Sequence, residues 1–389
     1  MSAEPPPRSA LRRALPWLAL ATIGAASVAA ALVLIDRRFV ALEDRLDASA
    51  TAPLPDGRVF VIAAGDGEDE LQATLRDSHA RVLAELAPPT TIGHRPTATA
   101  LEDGRVLIVG GEGHSRSAWL FDPRTEAFDK APRTGAARTD HTATLLETGE
   151  VLVTGGATPG VDWIATDSAE LFDPTQNVWL PLPTMTQPRL FHTATHLADG
   201  RVLIIGGLEP GNDMLTAAEV FDPTTRTFAP TAPMTSKRSF HGSALLPDGR
   251  VIVVGGAVAL GTARQPLGTT ELYDPTRDAW TPGPDLDTPR QSFATIPLPD
   301  GRVMVAGGWW RPIRGGWSYY PIRARELLFG TLAGPLDSTE LLDPDGDGWA
   351  PGPRLQRPRM APVLTVTSDG VVLVLGADGE PGTAERWVP

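Results

Sequence analysis

The sequence predicts an all-β protein, a β-propeller of four-stranded blades, preceded by one N-terminal transmembrane helix. Three observations predict this architecture. A tight turn ending in glycine recurs seven times, most copies are followed by an apolar strand that ends in two glycines, and an uncharged run of 22 residues lies near the N-terminus. A unit that recurs at a steady period indicates a repeat fold whose neighbouring units complete one another's core.

The spacing of the turns defines the repeat. Successive turn glycines lie 47, 45, 51, 49, 52 and 69 residues apart, and a propeller repeat of this kind takes about 50 residues. We expect seven blades, or six if the first unit is not a full blade. The turn glycines are Gly57, Gly104, Gly149, Gly200, Gly249, Gly301 and Gly370.

Each unit contains the same short strands, which we call a to d from the axis outward. The second is an apolar run such as 202–205, closed by Gly206 and Gly207. Such runs suit strands buried on both faces, and paired glycines let neighbouring backbones approach. The third strand ends in Asp-Pro, which begins a turn, and an aromatic residue six positions after that aspartate should fill the gap between blades. These aromatic residues are Phe128, Trp179, Phe228, Trp280 and Trp349.

The diglycine, the later aromatic residue and the period together resemble the kelch repeat. The resemblance covers residues 46–389 and implies kelch-type four-stranded blades. The first unit has Ala64-Gly65 and the last has Gly376-Ala377 instead of the diglycine. Because the last unit stops after its strand c, we expect its fourth strand to come from the segment after the N-terminal helix. The intact diglycines are Gly110-Gly111, Gly155-Gly156, Gly206-Gly207, Gly255-Gly256 and Gly307-Gly308.

The N-terminal part is predicted to tether the protein to a membrane. Residues 14–35 carry no charge and are flanked by arginines on both sides. At about 1.5 Å per residue such a helix spans roughly 33 Å, enough for a bilayer core of about 30 Å. We expect a tail at 1–13, a retained signal anchor at 14–35 rather than a cleaved signal, a linker at 36–45 and a single-pass protein whose propeller (46–389) lies on the extracytoplasmic side.

Composition removes several kinds of chemistry. The chain has no cysteine, which excludes disulfides, thiolate metal ligands and cysteine nucleophiles. The formal net charge of -13 opposes binding to nucleic acid. We therefore expect no cofactor, no metal and no nucleic-acid partner.

Arginine lies ten residues before the turn aspartate, or its equivalent, in five of the seven units. These arginines enter strand a from the d–a loop, which lies with the b–c loop on one face of the disc. In kelch propellers that bind acidic peptides, arginines at this motif position carry the contact, so the resemblance implies an anion-attracting mouth. The alternative is that each arginine bonds loop carbonyls of the neighbouring blade. The arginines are Arg138, Arg189, Arg238, Arg290 and Arg359.

An insertion lengthens the b–c loop of the sixth unit. It occupies residues 309–335, accounts for the final spacing of 69 residues and contains a single acidic residue, Glu326. Tryptophan, tyrosine and arginine are typical of binding hot spots, so we expect a recognition loop on the same face as the arginines. The alternative is a lid over the propeller's own channel. Its candidate ligand-binding residues are Trp309, Trp310, Arg311, Arg314, Trp317, Tyr319, Tyr320, Arg323 and Arg325.

Two further patterns favour structural roles. His141, His192 and His241 hold equivalent places on separate units, which favours hydrogen bonding over a shared zinc ion. Residues 343–348 imitate the start of a calcium loop, but Arg354 stands where its last acidic ligand is needed, so we expect a c–d turn.

These observations favour a membrane-tethered binding or scaffold module for a protein, acidic peptide or glycan. The alternative is a carbohydrate-active enzyme of the sugar mutarotase or epimerase type, in which Arg189, Arg238 and Arg290 hold an anionic sugar. A third possibility is an envelope protein with structural contacts only. Kelch-like copper radical oxidases need a cysteine cross-linked to tyrosine, and the absence of cysteine excludes that activity.

Overall fold

A computed structural model shows a ring of seven antiparallel sheets around a central axis. It describes residues 50–64, 71–93, 95–111, 116–158, 164–211, 213–260, 263–310, 313–314, 334–376 and 384–389. Every regular element in this part of the chain is a strand. No helix in these ranges has the length and apolar character needed to cross a membrane. The predicted tail, anchor and linker at 1–13, 14–35 and 36–45 lie outside the described residues.

The first three blades have four strands each. Blade 1 comprises β1 (Ala50–Pro53), β2 (Val59–Ala64), β3 (Leu71–Arg76) and β4 (Val82–Leu86). Blade 2 comprises β5 (Thr97–Ala100), β6 (Val106–Val109), β7 (Ala118–Asp122) and β8 (Ala127–Lys130). Blade 3 comprises β9 (Thr142–Leu145), β10 (Val151–Thr154), β13 (Ala169–Asp173) and β14 (Val178–Pro181), with the hairpin β11 (Ala157–Thr158) and β12 (Ile164–Ala165) in its b–c loop.

The next two blades repeat the pattern. Blade 4 comprises β15 (Thr193–His196), β16 (Val202–Ile205), β17 (Ala218–Asp222) and β18 (Thr227–Pro230). Blade 5 comprises β19 (Gly242–Leu245), β20 (Val251–Val254), β23 (Thr270–Asp274) and β24 (Ala279–Pro282), with the hairpin β21 (Ala257–Leu260) and β22 (Ala263–Pro266) in its b–c loop.

The last two blades differ from each other. Blade 6 comprises β25 (Ala294–Pro297), β26 (Val303–Ala306), β28 (Thr339–Leu342) and β29 (Trp349–Pro351), and its loop contributes β27 (Ile313–Arg314), which pairs with β22 of blade 5. Blade 7 has three described strands, β30 (Val363–Val366), β31 (Val372–Leu375) and β32 (Ala384–Trp387).

The inner strands close the ring. Each strand a lies beside the strand a of the next blade, and β30 of blade 7 lies beside β1 of blade 1. The first unit is thus a full blade, and of the two predicted blade counts seven is correct. Since strands alternate in direction, the d–a and b–c loops share one face, which we call the mouth face. The a–b and c–d turns share the other, which we call the turn face.

The core lies between the blades. All four residues of the second strand are buried in β6, β10, β16, β20, β26 and β31. Leu152 and Leu171 of blade 3, for example, pack with Val202, Ile204 and Phe221 of blade 4. Strands buried on both faces need continuous apolar runs, which explains why the repeat shows no alternation there.

The aromatic residue of strand d joins neighbouring blades as predicted. Trp179 of blade 3 packs on Phe172 of its own blade, with ring centroids 5.0 Å apart. Its indole N–H donates to the carbonyl of Pro132, in the loop that leaves blade 2. Buried indoles usually find such a partner. The ring therefore fills the inter-blade gap and also hydrogen-bonds across it.

Arginines on the turn face also bridge blades. Arg58 pairs with Asp56 within the a–b turn of blade 1 and donates from Nη2 to the carbonyl of Pro123 in blade 2, at 2.9 Å. Arg105 repeats this contact from blade 2 to Pro174 in blade 3. The calcium-like stretch 343–348 lies between β28 and β29 and is the c–d turn that the sequence predicted.

Candidate functional site

The five predicted ligand-binding arginines of the repeat are fully buried. Each guanidinium forms an ion pair with a glutamate on strand c of its own blade. Arg189 and Glu219, for example, are both 0% exposed, and Nη2 lies 2.7 Å from Oε1. The pairs are Arg138–Glu170, Arg189–Glu219, Arg238–Glu271, Arg290–Glu340 and Arg359–Glu385.

The remaining polar atoms of each pair hold the d–a loop in place. Nη1 of Arg189 donates to the carbonyls of Gly206 (2.8 Å) and Ala217 (3.2 Å) in the same blade. The second carboxylate oxygen of Glu219 accepts the backbone N–H of Thr186, at 2.8 Å. Buried charges are stable only when they are paired and hydrogen-bonded. Each arginine therefore holds the d–a loop against strands b and c of its blade.

This geometry corrects the predicted arginine-lined mouth. Arg138, Arg189, Arg238, Arg290 and Arg359 are at most 1% exposed, so these side chains do not contact a ligand at the surface. The predicted structural alternative was closer, although the carbonyls to which each guanidinium donates belong to its own blade. The neighbouring blade is reached by the arginine backbone instead, since the carbonyl of Arg189 accepts the N–H of Gly156 in blade 3.

The three histidines tie neighbouring inner strands together, which confirms their predicted hydrogen-bonding role. His141 of blade 3 contacts Thr97 Oγ1 of blade 2 through Nε2, at 3.0 Å. His241 of blade 5 contacts Thr193 Oγ1 of blade 4 in the same way, also at 3.0 Å. His192 bonds to Thr142 Oγ1 of blade 3. The Nε2 atom of each histidine is thus already hydrogen-bonded within the wall of the channel and does not serve as a metal ligand.

Burial lowers the pKa of these histidines. The pKa of His141 and of His241 falls to about 3, because desolvation disfavours the charged ring and Arg138 or Arg238 lies nearby. The pKa of His192 is also well below its ordinary value, for the same main reason. The folded protein therefore keeps all three rings neutral at pH values at which an exposed histidine takes up a proton.

Stability is consequently expected to fall as the pH drops from about 6.5 toward about 3, since the unfolded chain binds protons that the folded one excludes. His241→Phe should flatten this slope by up to about 1.4 kcal/mol per pH unit. Phe293 occupies the same place in blade 6, so the fold accepts the ring. Urea titrations at pH 7, 6 and 5 would measure the slope. His79→Phe, in an exposed turn, is the control, and an equal slope in wild type and His241→Phe would contradict the assignment.

A different ring of residues forms the mouth. Two positions after each buried arginine, or its equivalent Gly93, the backbone turns into the left-handed region, with φ between 50° and 57°. Backbone N–H groups then donate from blade to blade around the axis, from Phe240 to Phe191 and from Ser292 to Phe240. All six residues are partly exposed, although the side chain of Asp140 is itself only 7% exposed. We call them the mouth ring: Arg95, Asp140, Phe191, Phe240, Ser292 and Ala361.

The mouth ring is chemically uneven. Arg95 and Asp140 form an ion pair at 2.8 Å on blades 2 and 3. Phe191 and Phe240 pack against each other on blades 4 and 5, with centroids 4.2 Å apart. The guanidinium of Arg264, on β22, lies 4.8 Å above the Phe240 ring. Blades 6 and 7 contribute small side chains only. The mouth ring thus has a charged side, an aromatic side and a side of small residues.

The insertion is described only in part. Trp309 is 3% exposed, and its backbone pairs with that of Gln291, so it belongs to the fold rather than to an exposed loop. Trp310 is 37% exposed. Arg314 lies in β27 beside blade 5, which brings the insertion next to Arg264 and the mouth ring. The other predicted binding residues, Arg311, Trp317, Tyr319, Tyr320, Arg323 and Arg325, lie outside the described residues.

The sequence alone did not identify the mouth ring, because the residue type at this position changes from blade to blade. A signal was nevertheless present. In blades 3 to 5 the varying position is bracketed by the invariant arginine two residues before it and by a histidine directly after it. A position that varies between fixed neighbours in an internal repeat is one whose side chain the fold does not specify.

Comparisons with known proteins place the chain in a fold class. No protein-family model and no curated protein matches it. Its structure is similar to that of a fungal alcohol oxidase of the AA5 family in complex with copper, at 15% identity and a TM-score of 0.66, over 88% of this chain and 74% of that one. It is also similar to YjhT, at 14% identity and a TM-score of 0.57, over 79% of this chain and 98% of that one. The protein is a seven-bladed β-propeller.

Copper is named for the oxidase alone, and this chain has no cysteine that could serve as a thiolate ligand. Within the described ranges, no group of three or more histidine, aspartate or glutamate side chains is arranged to hold a metal ion. The likeness at this level of identity is one of fold.

Proposed function

We propose that the protein is a membrane-tethered, kelch-like binding module that recognises a protein, a peptide or a glycan through its mouth face. One observation carries the proposal. The mouth ring keeps one backbone conformation in six blades, whereas its side chains include a cation, an anion, two aromatic rings, a hydroxyl and a methyl group. A repeat that preserves shape and varies chemistry at its exposed centre suits selective recognition.

The aromatic side of the mouth supports this function. Phe191 and Phe240 lie over a small buried cluster that includes Leu190, Leu208 and Met214. The cluster holds the two rings in place while they remain partly exposed. Rigid aromatic residues lose little conformational entropy on binding, and a guanidinium beside them adds a charge for orientation. Arg264 occupies that place.

The membrane part of the proposal is supported by the sequence. Residues 14–35 carry no charge and are long enough to span a bilayer. We place the propeller on the extracytoplasmic side. The kelch assignment is supported by the period, the five diglycines and the strand-d aromatic residues.

The binding function is favoured over the enzyme alternative by the same geometry. That alternative needed Arg189, Arg238 and Arg290 to hold an anionic sugar, and these residues are buried in ion pairs. Asp140 is the carboxylate of the described mouth ring, and it is bonded to Arg95.

The test compares full-length protein with variants as bait in solubilised native membranes. Phe240→Ser, which copies blade 6 at this position, should reduce capture of the partner by at least about tenfold, as for a hot-spot residue. Arg277→Ala, in an exposed turn on the turn face, is the matched control and should capture normally. A further bait carries alanine at Arg311, Arg314, Arg323 and Arg325, and loss of the partner would add the insertion to the site. Equal capture by the Phe240→Ser and wild-type baits would contradict recognition at the mouth.

A further inference from the structure

The d–a loop that leads into blade 2 differs from the other described d–a loops. It lies between β4 and β5 and carries Arg95 of the mouth ring. We call its described residues, 87–93 and 95–96, the blade-2 loop. In the loops that lead into blades 3 to 7, a buried arginine pairs with a glutamate on strand c. Gly93 and Trp119 hold these two positions in blade 2, so both partners of the buried ion pair are replaced there.

The missing glutamate also removes acceptors for the backbone of the loop. In blade 5 the Glu271 carboxylate accepts the N–H groups of Thr235 and Ser236. Glu340 holds the loop into blade 6 in the same way. A tryptophan cannot accept such bonds. The indole N–H of Trp119 is itself buried and has no hydrogen-bond partner in the described part of the chain, so the replacement leaves a buried donor unsatisfied.

A proline removes another attachment of this loop. Four residues before the buried arginine, the loop backbone donates to the b–c loop of the preceding blade, as from Met185 to the carbonyl of Asp167. The same bond runs from Met234 to the carbonyl of Thr216. Pro89 occupies this position in the blade-2 loop. Because proline has no backbone N–H, it cannot make this bond.

The contacts that hold the blade-2 loop are of a different kind. Ile92 packs in the core between blades 1 and 2, and the carbonyl of Thr91 accepts the hydroxyl of Ser117 at 2.7 Å. At the mouth end, Nη1 of Arg95 lies 2.8 Å and 3.0 Å from the two carboxylate oxygens of Asp140, in the loop that leads into blade 3. The two side chains are 16% and 7% exposed. The ion pair therefore ties the mouth end of the blade-2 loop to the next loop.

We propose that the blade-2 loop is the movable segment of the mouth and that the Arg95–Asp140 ion pair is the latch that holds it closed. Local stability follows the buried contacts and protected hydrogen bonds of a segment. The blade-2 loop lacks the buried ion pair, the carboxylate acceptors and the N–H bond that hold its counterparts. The aromatic side of the mouth ring lies on loops that keep their buried pairs, so the mouth would widen at its charged side only.

The latch gives the mouth a way to respond to a partner. A partner whose charged group pairs with Arg95 or with Asp140 replaces one half of the latch and favours the released loop. This consequence rests on the proposed function. The latch itself is a property of the folded chain and can be tested without a ligand.

The movable loop can be tested by thiol labelling in the full-length protein, which contains no cysteine of its own. Ile92→Cys and Met185→Cys place a thiol in two d–a loops, at positions where the native side chains are 5% and 3% exposed. Maleimide should label Ile92→Cys at least about tenfold faster than Met185→Cys, because local opening exposes buried groups. Equal rates would show that the blade-2 loop is held as firmly as its counterpart and would overturn the proposal.

Asp140→Asn tests the latch, since it removes the charge and keeps the shape of the side chain. It should raise the labelling rate of Ile92→Cys about tenfold further and leave that of Met185→Cys unchanged. The matched control is Asp213→Asn, which breaks an exposed ion pair with Lys237 on the same face and should change neither rate. No acceleration by Asp140→Asn, or equal acceleration of both thiols, would show that the ion pair does not latch this loop.

A urea series separates opening of the loop from unfolding of the whole protein. Opening of one loop exposes little surface, so labelling of Ile92→Cys should rise only weakly at low urea concentrations, whereas global unfolding gives a steep dependence. A steep dependence for Ile92→Cys would assign its labelling to global unfolding and would overturn the movable loop. No ligand is involved, so a failed latch and a failed mouth function would be told apart.

Discussion

Glu219→Ala is expected to lower the free energy of unfolding by about 3–5 kcal/mol, the usual cost of removing one partner of a buried ion pair. The change leaves the Arg189 guanidinium at 0% exposure without its carboxylate. It also leaves the N–H of Thr186 without its acceptor. Both groups lie in the loop that leads to the mouth, so the loss concerns stability and the shape of the mouth together.

The matched control is Asp199→Ala. Asp199 pairs with Arg201 at 2.7 Å, the same distance, but the two side chains are 50% and 37% exposed. An exposed pair contributes about 0–1 kcal/mol. Urea unfolding of both variants would measure the difference. A loss below about 1 kcal/mol for Glu219→Ala would show that the buried ion pairs do not hold the d–a loops in place.

Gly206→Ala is expected to cost about 2–5 kcal/mol, from a left-handed backbone and from overpacking. Gly206 has a φ of 59°, and an added Cβ would lie 2.7 Å from the carbonyl oxygen of Arg238 and 2.9 Å from Cε1 of His241. Both atoms belong to the d–a loop of blade 5. The next blade would have to move outward, so the effect extends beyond one residue.

Gly249→Ala separates the two causes. Gly249 has a φ of 87°, and its added Cβ would have no atom within 4 Å. Only the backbone cost of about 1–2 kcal/mol applies there. Thermal unfolding of both variants gives the comparison. Equal losses would mean that the close approach of blades at Gly206 is unimportant.

Much of the fold could be predicted from particular residues. The turn glycines each take a left-handed conformation between strands a and b. The diglycine lies where the d–a loop of the next blade passes close to the backbone. The sequence also contained the buried ion pairs, since in blades 3 to 7 the second residue of strand c is a glutamate and the d–a loop before the blade carries an arginine. It did not show that the two are partners. A charged pair separated by 30 residues, such as Arg189 and Glu219, meets only when the strand order is known.

The site was harder to predict, because a recurring arginine is as typical of a ligand-binding site as of a buried structural ion pair. In blade 4, Arg189 and Leu190 are buried, and Phe191 is partly exposed. The three are consecutive. The left-handed φ of 52° at Phe191 turns its side chain into the mouth, and no composition rule distinguishes such a position from its neighbours.

The sequence by itself determined the all-β class, the period of the blades and the places of the turns, because these depend on local patterns of apolar residues, glycine and proline. The tertiary structure decided which repeated side chains are buried and which are accessible. The reason is that accessibility depends on the neighbouring blade. The loop that carries Arg189 is covered by strands b and c and by the next loop, whereas Phe191 and Phe240 lie at the axis, where seven blades meet and no further blade covers them.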